Sequence, residues 1–181
     1  MKRILLLGLA LLFVSGAVSA QQVAMYVDEA RASWCVMDAM PYDFINIYLF
    51  INPPAEGAKC IDLSTVAEYG NYRVFAYEPN PGAQDPILGG FPDDDLAGCF
   101  AACQDTWNWL VRGEIMMLSA DPVKIYFRPS QDPVQPNMWM LNCADPAEEV
   151  EALALTDFYV NSCGPVSVEE SSWGAIKSLY E

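Results

Sequence analysis

The most strand-like segment of this 181-residue chain is FINIYLFI, Phe44–Ile51. β-Branched and aromatic residues dominate it, and such side chains pack well on a pleated sheet. Asn52-Pro53-Pro54 follows directly and ends the segment, because proline has no N–H to donate to a neighbouring strand. The segment therefore predicts a buried β-strand.

Other short apolar segments occur on both sides of this one, separated by turn sequences such as Glu78-Pro79-Asn80-Pro81-Gly82 and Asp121-Pro122. Many short strands with turn residues between them, and without long helical periods, are typical of an all-β protein. We expect an antiparallel immunoglobulin-like or cohesin-like β-sandwich with disulfides and at most short helices. The further expected strands are Val23–Val27, Lys59–Leu63, Tyr72–Tyr77, Trp107–Val111, Glu114–Leu118, Val123–Phe127, Met138–Leu141 and Phe158–Val160.

Two segments of the expected domain have helical character. Ala147–Leu155 is rich in helix formers and follows Asp145-Pro146, which is a good cap and first-turn pair. A polar loop leading into a strand is the alternative for this segment. Leu63–Tyr69 could form a turn or two of helix.

The N-terminus has the pattern of a secretory signal peptide. Lys2 and Arg3 precede an apolar run from Ile4 to Val14, and small residues follow as far as Ala20. The run is shorter than the roughly 20 residues that a membrane-spanning helix needs. We expect residues 1–20 to be removed on export, and residues 21–163 to form the β-sandwich domain of a secreted, periplasmic or cell-surface protein with no membrane span.

The exported part is strongly acidic. Nine basic residues less the two in the signal peptide leave seven against 24 acidic ones, so the net charge is −17. Such a surface repels phosphate groups. Nucleic acid and anionic membrane surfaces are therefore not expected as partners.

All six cysteines lie in the exported part, where oxidation to disulfides is the default. The pairs that bracket a single apolar segment and a turn are Cys35–Cys60 and Cys143–Cys163. Six cysteines allow 15 pairings, and we prefer these two pairs. Cys99 and Cys103 then remain, in a Gly/Ala-rich loop where a short bridge could form. Zinc is the alternative for that pair, but the sequence has no histidine.

The C-terminal residues 164–181 are expected to be a linker followed by a short amphipathic tail. Trp173, Ile176, Leu179 and Tyr180 recur at roughly helical spacing after Ser171. A helix this short needs a surface to dock on. The tail either packs back on its own domain or serves as a recognition tag for export or attachment.

The segments QVAMYVD, FINIYLFI, GAKCIDL, MWMLNC and DFYVNSC resemble an outline shared by uncharacterised exported β-sandwich proteins of little-studied Gram-negative bacteria. Similar proteins often finish with Trp-Gly-x-Ile-Lys-x-Leu-Tyr/Phe, which is matched here by Trp173, Gly174, Ile176 and Lys177, and then by Leu179 and Tyr180. The resemblance implies an extracytoplasmic β-sandwich. It implies no catalytic residue.

Enzyme chemistry finds little support in the sequence. Without histidine, Ser-His-Asp and Cys-His nucleophilic arrangements are excluded. Acidic residues number 24, but no motif marks a catalytic pair. The acidic run Asp93-Asp94-Asp95 is interpreted as a solvated turn, with a calcium site as the alternative. We therefore expect no enzyme activity and no cofactor, with calcium at this turn as the alternative.

Trp107 and Trp109 are two residues apart, so on a strand they share one face. Burial in the core is the favoured interpretation, and an exposed aromatic platform for a glycan is the alternative. Two functions are consistent with the sequence. One is a non-catalytic structural or adhesion module that contacts a cell-surface or extracellular protein. The other is a module that binds carbohydrate or another ligand through Trp107 and Trp109.

Overall fold

The described part of the molecule is built from strands, turns and irregular segments. The computed structural model describes residues 21–131 and 137–163, apart from the side chain of Asp85. In these residues the chain forms no helix. The strands are β1 Gln22–Tyr26, β2 Cys35–Val36, β3 Phe44–Asn52, β4 Ala58–Tyr69, β5 Tyr72–Pro79, β6 Ala83–Gly89, β7 Asp95–Gln104, β8 Asn108–Met117, β9 Val123–Arg128, β10 Trp139–Asn142, β11 Glu149–Glu151, β12 Leu153–Thr156 and β13 Phe158–Val160.

The strands form two sheets with one hydrophobic core between them. The five-stranded sheet has the order β12-β1-β3-β8-β5. In the eight-stranded sheet, β7 and then β6 lie on one side of β4, while β9 and β10 lie end to end on its other side. β13 and β2 extend this sheet beyond β9, and β11 extends it beyond β10. Pairing is antiparallel except between β1 and β12 and between β2 and β13, so the predicted β-sandwich is confirmed.

The strand predicted from FINIYLFI is β3, at the centre of the five-stranded sheet. Ile45, Ile47 and Leu49 belong to the main core. Successive side chains of a strand point to opposite faces. Tyr48 and Phe50 therefore lie on the outer face of this sheet, where the candidate site is found.

Both segments with predicted helical character form strands instead. Leu63–Tyr69 is part of β4 and pairs with β7 and β9. Ala147–Leu155 contains β11 and most of β12, which pair with β10 and β1 in different sheets. Ala152, at the crossing between the sheets, is almost fully buried. Pairing with other strands thus overrides local helix propensity in both segments.

Strands β7 and β8 are long, with ten residues each. The prediction of a Gly/Ala-rich loop around Cys99 and Cys103 is wrong, because both cysteines lie in β7. β8 runs unbroken through Gly113. A Cβ atom on Gly113 would lie 2.6 Å from Pro92 Cδ, so this glycine lets the Phe91-Pro92 segment pack closely against the strand.

The prediction of three disulfides is confirmed, but the pairing differs at every cysteine. The bridges are Cys35–Cys163, Cys60–Cys99 and Cys103–Cys143. The expected pairs Cys35–Cys60, Cys143–Cys163 and Cys99–Cys103 are therefore wrong. They were based on proximity in sequence, whereas sheet pairing joins distant residues. Cys60 and Cys99 are direct partners in the β4–β7 register, with Cα atoms 4.0 Å apart.

Two predicted segments lie outside the described residues. They are the signal peptide, residues 1–20, and the C-terminal residues 164–181 with Trp173, Gly174, Ile176 and Lys177. Residues 21–131 and 137–163 contain no helix long and apolar enough to cross a membrane.

Candidate binding face of the five-stranded sheet

A second group of buried and half-buried aromatic side chains lies on the outer face of the five-stranded sheet, apart from the main core. Tyr48 and Phe50 of β3 are only 8% and 3% exposed, although neither belongs to the core cluster. Tyr26 packs edge-on against Phe50, with ring centres 5.6 Å apart. Trp109 packs edge-on against Tyr48 at 5.5 Å. With Trp107, described below, these residues form what we term the aromatic cluster.

Strand register explains why these rings meet. Tyr26 lies opposite Tyr48 in the β1–β3 pair, and Phe50 lies opposite Trp109 in the β3–β8 pair. The β3–β8 register shifts at this point, which leaves Leu110 as an extra residue of β8. Leu110 is fully buried in the core. A bulge of this kind redirects the side chains around it, and here Trp109 remains on the outer face.

Arg31 covers part of the aromatic cluster. Its guanidinium carbon lies 5.0 Å from the ring centre of Trp107 and 5.8 Å from that of Phe50. The turn before it is held by Asp28, whose carbonyl accepts a hydrogen bond from the Arg31 N–H at 3.2 Å. The Asp28 carboxylate accepts a second one from the Ala32 N–H at 3.1 Å. Local backbone hydrogen bonds thus hold the turn that places this cation over the rings, and such contacts are worth about 0.5–1 kcal/mol at exposed sites.

A second cation, Arg112, borders the cluster. It lies opposite Tyr48 in the β3–β8 register and forms an ion pair with Glu78 of β5. Hydrogen bonding to Tyr48 is the main cause that raises the pKa of Arg112, and Glu78 acts in the same direction. Burial raises the pKa of Tyr26, with partial opposition from the charge of Arg31. The face therefore presents a charged guanidinium at Arg112 and a neutral phenol at Tyr26 at physiological pH.

A shallow depression continues this face towards β5, which is an edge strand. Its volume is about 350 Å³. At one end Phe75 is 61% exposed, and its ring packs edge-on against Phe44 at 5.1 Å. We define the binding face as the aromatic cluster, Arg31 and this depression, which is lined by Phe75, Ala76, Tyr77, Glu78, Arg112 and Glu114.

The structure places Trp107 and Trp109 together at this face, and both are half-buried. Neither belongs to the main core, which differs from the favoured interpretation of the sequence. Trp107 lies under Arg31, and the planes of Trp109 and Tyr48 are 86° apart. Sequence reasoning did not find Arg31 as a neighbour of these rings. The alternation within FINIYLFI, which puts Tyr48 and Phe50 opposite the isoleucines, was the available signal for an aromatic outer face.

The three consecutive acids Asp93, Asp94 and Asp95, at the end of the β6–β7 loop and the start of β7, accept hydrogen bonds from different backbone amides. Asp93 accepts a hydrogen bond from Ala67 N–H at 2.9 Å, and Asp94 accepts one from Asp95 N–H at 2.8 Å. Asp95 accepts one from Gln131 N–H at 3.2 Å. In residues 21–131 and 137–163, no group of three or more histidine, cysteine, aspartate or glutamate side chains is placed to hold a metal ion.

Solved structures of other proteins share the fold of this chain. No protein-family model matches the sequence, and no curated protein matches it. A chain of a type I cohesin–dockerin complex from Clostridium thermocellum superposes with a TM-score of 0.54, at 15% identity, over 78% of this chain and 92% of its own. The chain has a cohesin-like fold.

Two further solved structures extend this likeness. A type II cohesin domain from the cellulosome of Acetivibrio cellulolyticus has a TM-score of 0.53 at 9% identity, covering 78% of this chain and 95% of its own. A non-cellulosomal cohesin from Archaeoglobus fulgidus has a TM-score of 0.50 at 10% identity, covering 86% and 97%. The cohesin-like sandwich described here thus corresponds to nearly the full length of each of these domains.

Proposed function

We propose that this chain is a non-catalytic module, acting outside the cytosol, that binds a protein partner through the binding face. The observation that carries the proposal is the aromatic cluster with Arg31 and Arg112 on the outer face of the sheet, outside the hydrophobic core. Tryptophan, tyrosine and arginine are the residues that most often dominate the binding energy of protein interfaces. Rings already ordered by their neighbours also lose little side-chain entropy on binding.

A protein partner fits the geometry better than a glycan. Stacking of a sugar needs the open face of an aromatic ring, but Arg31 lies over Trp107. Trp109 packs edge-on against Tyr48, so its orientation is fixed by the cluster. The adjoining depression mixes apolar surface at Phe75 with the Arg112–Glu78 ion pair. Apolar anchors beside charged groups are usual at protein interfaces.

The comparisons support the same class of function. One of these solved structures is a cohesin–dockerin complex, so a module of the dockerin type is the class of partner we favour. Disulfides persist in oxidising compartments, and three of them join strands or strand ends here. This supports a location outside the cytosol, and the signal-peptide pattern of residues 1–20 supports the same location.

Photo-crosslinking in cells that export the protein tests the proposal. Tyr77 lines the depression and is replaced by the photoreactive residue p-benzoylphenylalanine. Tyr126 of β9, in the other sheet, is replaced in a matched control. We expect one discrete cross-linked protein from position 77 and none from position 126. The same products from both positions, or none from position 77, would contradict the proposal.

The captured partner then allows the energetic claim to be measured. Replacing Arg31 and Trp107 with alanine should weaken its binding by at least about 30-fold, equivalent to roughly 2 kcal/mol for a hot spot. Lys124 and Tyr126 form a matched cation–ring pair in the other sheet, with the ammonium 5.4 Å from the ring centre. Their replacement with alanine should leave binding unchanged. A calorimetric titration measures both variants, and equal losses would argue against this face.

The glycan hypothesis predicts a different result, which is binding of the chain to a carbohydrate. On a glycan array, we expect no binding by the chain from Gln21 to Glu181. Specific glycan binding that disappears when Trp107 and Trp109 are both replaced by alanine would favour a carbohydrate-binding module instead.

A further inference from the structure

Exposed apolar residues gather at one end of the sandwich. Met37, Met40 and Tyr42, in the segment between β2 and β3, are 56%, 60% and 73% exposed. Leu118, just after β8, is 42% exposed. We term these four residues the apolar pole. Solvent-exposed apolar groups that cluster in this way mark surfaces that another segment or molecule covers.

Backbone hydrogen bonds bring the parts of the apolar pole together. Tyr42 N–H donates to the Met117 carbonyl at 2.7 Å, and Met117 N–H donates to the Asp43 carbonyl at 3.0 Å. The segment before β3 is therefore bound to the end of β8, next to Leu118. Asp43 also accepts a hydrogen bond from Met40 N–H at 2.8 Å through its carboxylate, which holds Met40 and Tyr42 in one turn.

The described chain ends beside this pole. The side chain of Asn161, two residues before Cys163, accepts a hydrogen bond from Ala39 N–H at 2.7 Å and donates one to the Ala39 carbonyl at 2.8 Å. It also donates to the Ala120 carbonyl at 3.0 Å. Cys163 is bonded to Cys35, two residues before Met37. The described chain therefore ends next to the exposed methionines.

Residues 164–181 carry chemistry that matches the pole. Trp173, Ile176, Leu179 and Tyr180 are apolar residues at roughly helical spacing. Trp173 is ten positions after Cys163, enough for an extended chain to span up to about 35 Å. Lys177 is the one basic residue of positions 164–181, and the segment of the pole contains the acids Asp38 and Asp43.

We propose that the apolar side of the C-terminal segment, residues 171–180, docks on the apolar pole of its own chain. Docking covers the two methionines and Tyr42 and places Lys177 near Asp38 or Asp43. A short amphipathic segment is not stable alone in water, and it gains helical order when its apolar side is buried. The aromatic cluster is a different surface, so this inference is independent of the proposed protein-binding function.

Methionine oxidation tests the docking, because peroxide converts accessible methionine to the sulfoxide. The chain from Gln21 to Glu181 is compared with the same chain carrying Trp173→Ala and Ile176→Ala. A control carries Val166→Ala and Val168→Ala, which remove apolar groups from the linker only. We expect Met37 and Met40 to oxidise several-fold faster in the first variant than in the parent or the control. Met140 is fully buried, so its slow oxidation should be the same in all three proteins.

Two outcomes would overturn the proposal. One is equal oxidation of Met37 and Met40 in the parent and in the Trp173→Ala, Ile176→Ala variant. The other is protection that disappears on dilution while light scattering shows a dimer becoming a monomer, because the segment would then belong to a second copy.

Discussion

Replacing both Cys35 and Cys163 with alanine will lower the free energy of unfolding by about 5 kcal/mol. The bridge joins residues 128 apart in sequence, so its loss frees nearly the whole described chain in the unfolded state. It also frees β2 from the end of β13, its parallel partner in the sheet. Urea unfolding of the chain from Gln21 to Glu181 measures the change as a lower midpoint of the transition.

The Cys60–Cys99 bridge provides the comparison. Its sequence separation is 39, for which the same chain-entropy argument gives about 4 kcal/mol. Replacing this pair with alanine should therefore cost somewhat less than replacing Cys35 and Cys163. An unchanged urea midpoint in the Cys35→Ala, Cys163→Ala variant would show that these residues are not bonded to each other.

Replacing Phe158 with alanine will cost about 3–5 kcal/mol of stability, because it leaves a cavity in the core. The side chain is fully buried, and β13 positions it opposite Ile125 of β9. Thermal unfolding followed by circular dichroism should show a clearly lower melting temperature for this variant.

Phe75→Ala is the matched control, since it removes the same atoms from a side chain that is 61% exposed. It loses only the edge-on contact with Phe44, so we expect a cost of about 1 kcal/mol or less. Similar losses in the two variants would contradict the assignment of Phe158 to the core.

Sequence patterns predicted the strands that carry strong local signals. FINIYLFI was found because β-branched and aromatic residues fill it and prolines end it. Leu63–Tyr69 and Ala147–Leu155 were assigned wrongly because their local preferences are helical, while β4 and β12 pair with strands far away in sequence. The disulfide pairing failed for the same reason, since Cys60 meets Cys99 only after β4 and β7 have paired.

The candidate site was only partly visible in the sequence. The spacing of Trp107 and Trp109 indicated that both would lie on one face. Nothing in their neighbourhood pointed to Arg31, which precedes them by more than seventy residues and reaches Trp107 through a turn held by Asp28. The burial of the two tryptophan side chains depends on which face of the five-stranded sheet packs against the other sheet. That is a property of the tertiary fold. In the structure both tryptophans belong to the aromatic cluster on the outer face of the sheet, outside the main core.

Distant strands pair as a cohesin-like sandwich, and this pairing assembles the binding face and sets the end of the described chain beside the apolar pole. Disulfide mapping by mass spectrometry of the unreduced, protease-digested protein tests it most directly. We predict peptides linked as Cys35–Cys163, Cys60–Cys99 and Cys103–Cys143. Peptides linked between cysteines close in sequence, as Cys35–Cys60, Cys99–Cys103 and Cys143–Cys163, would contradict the account.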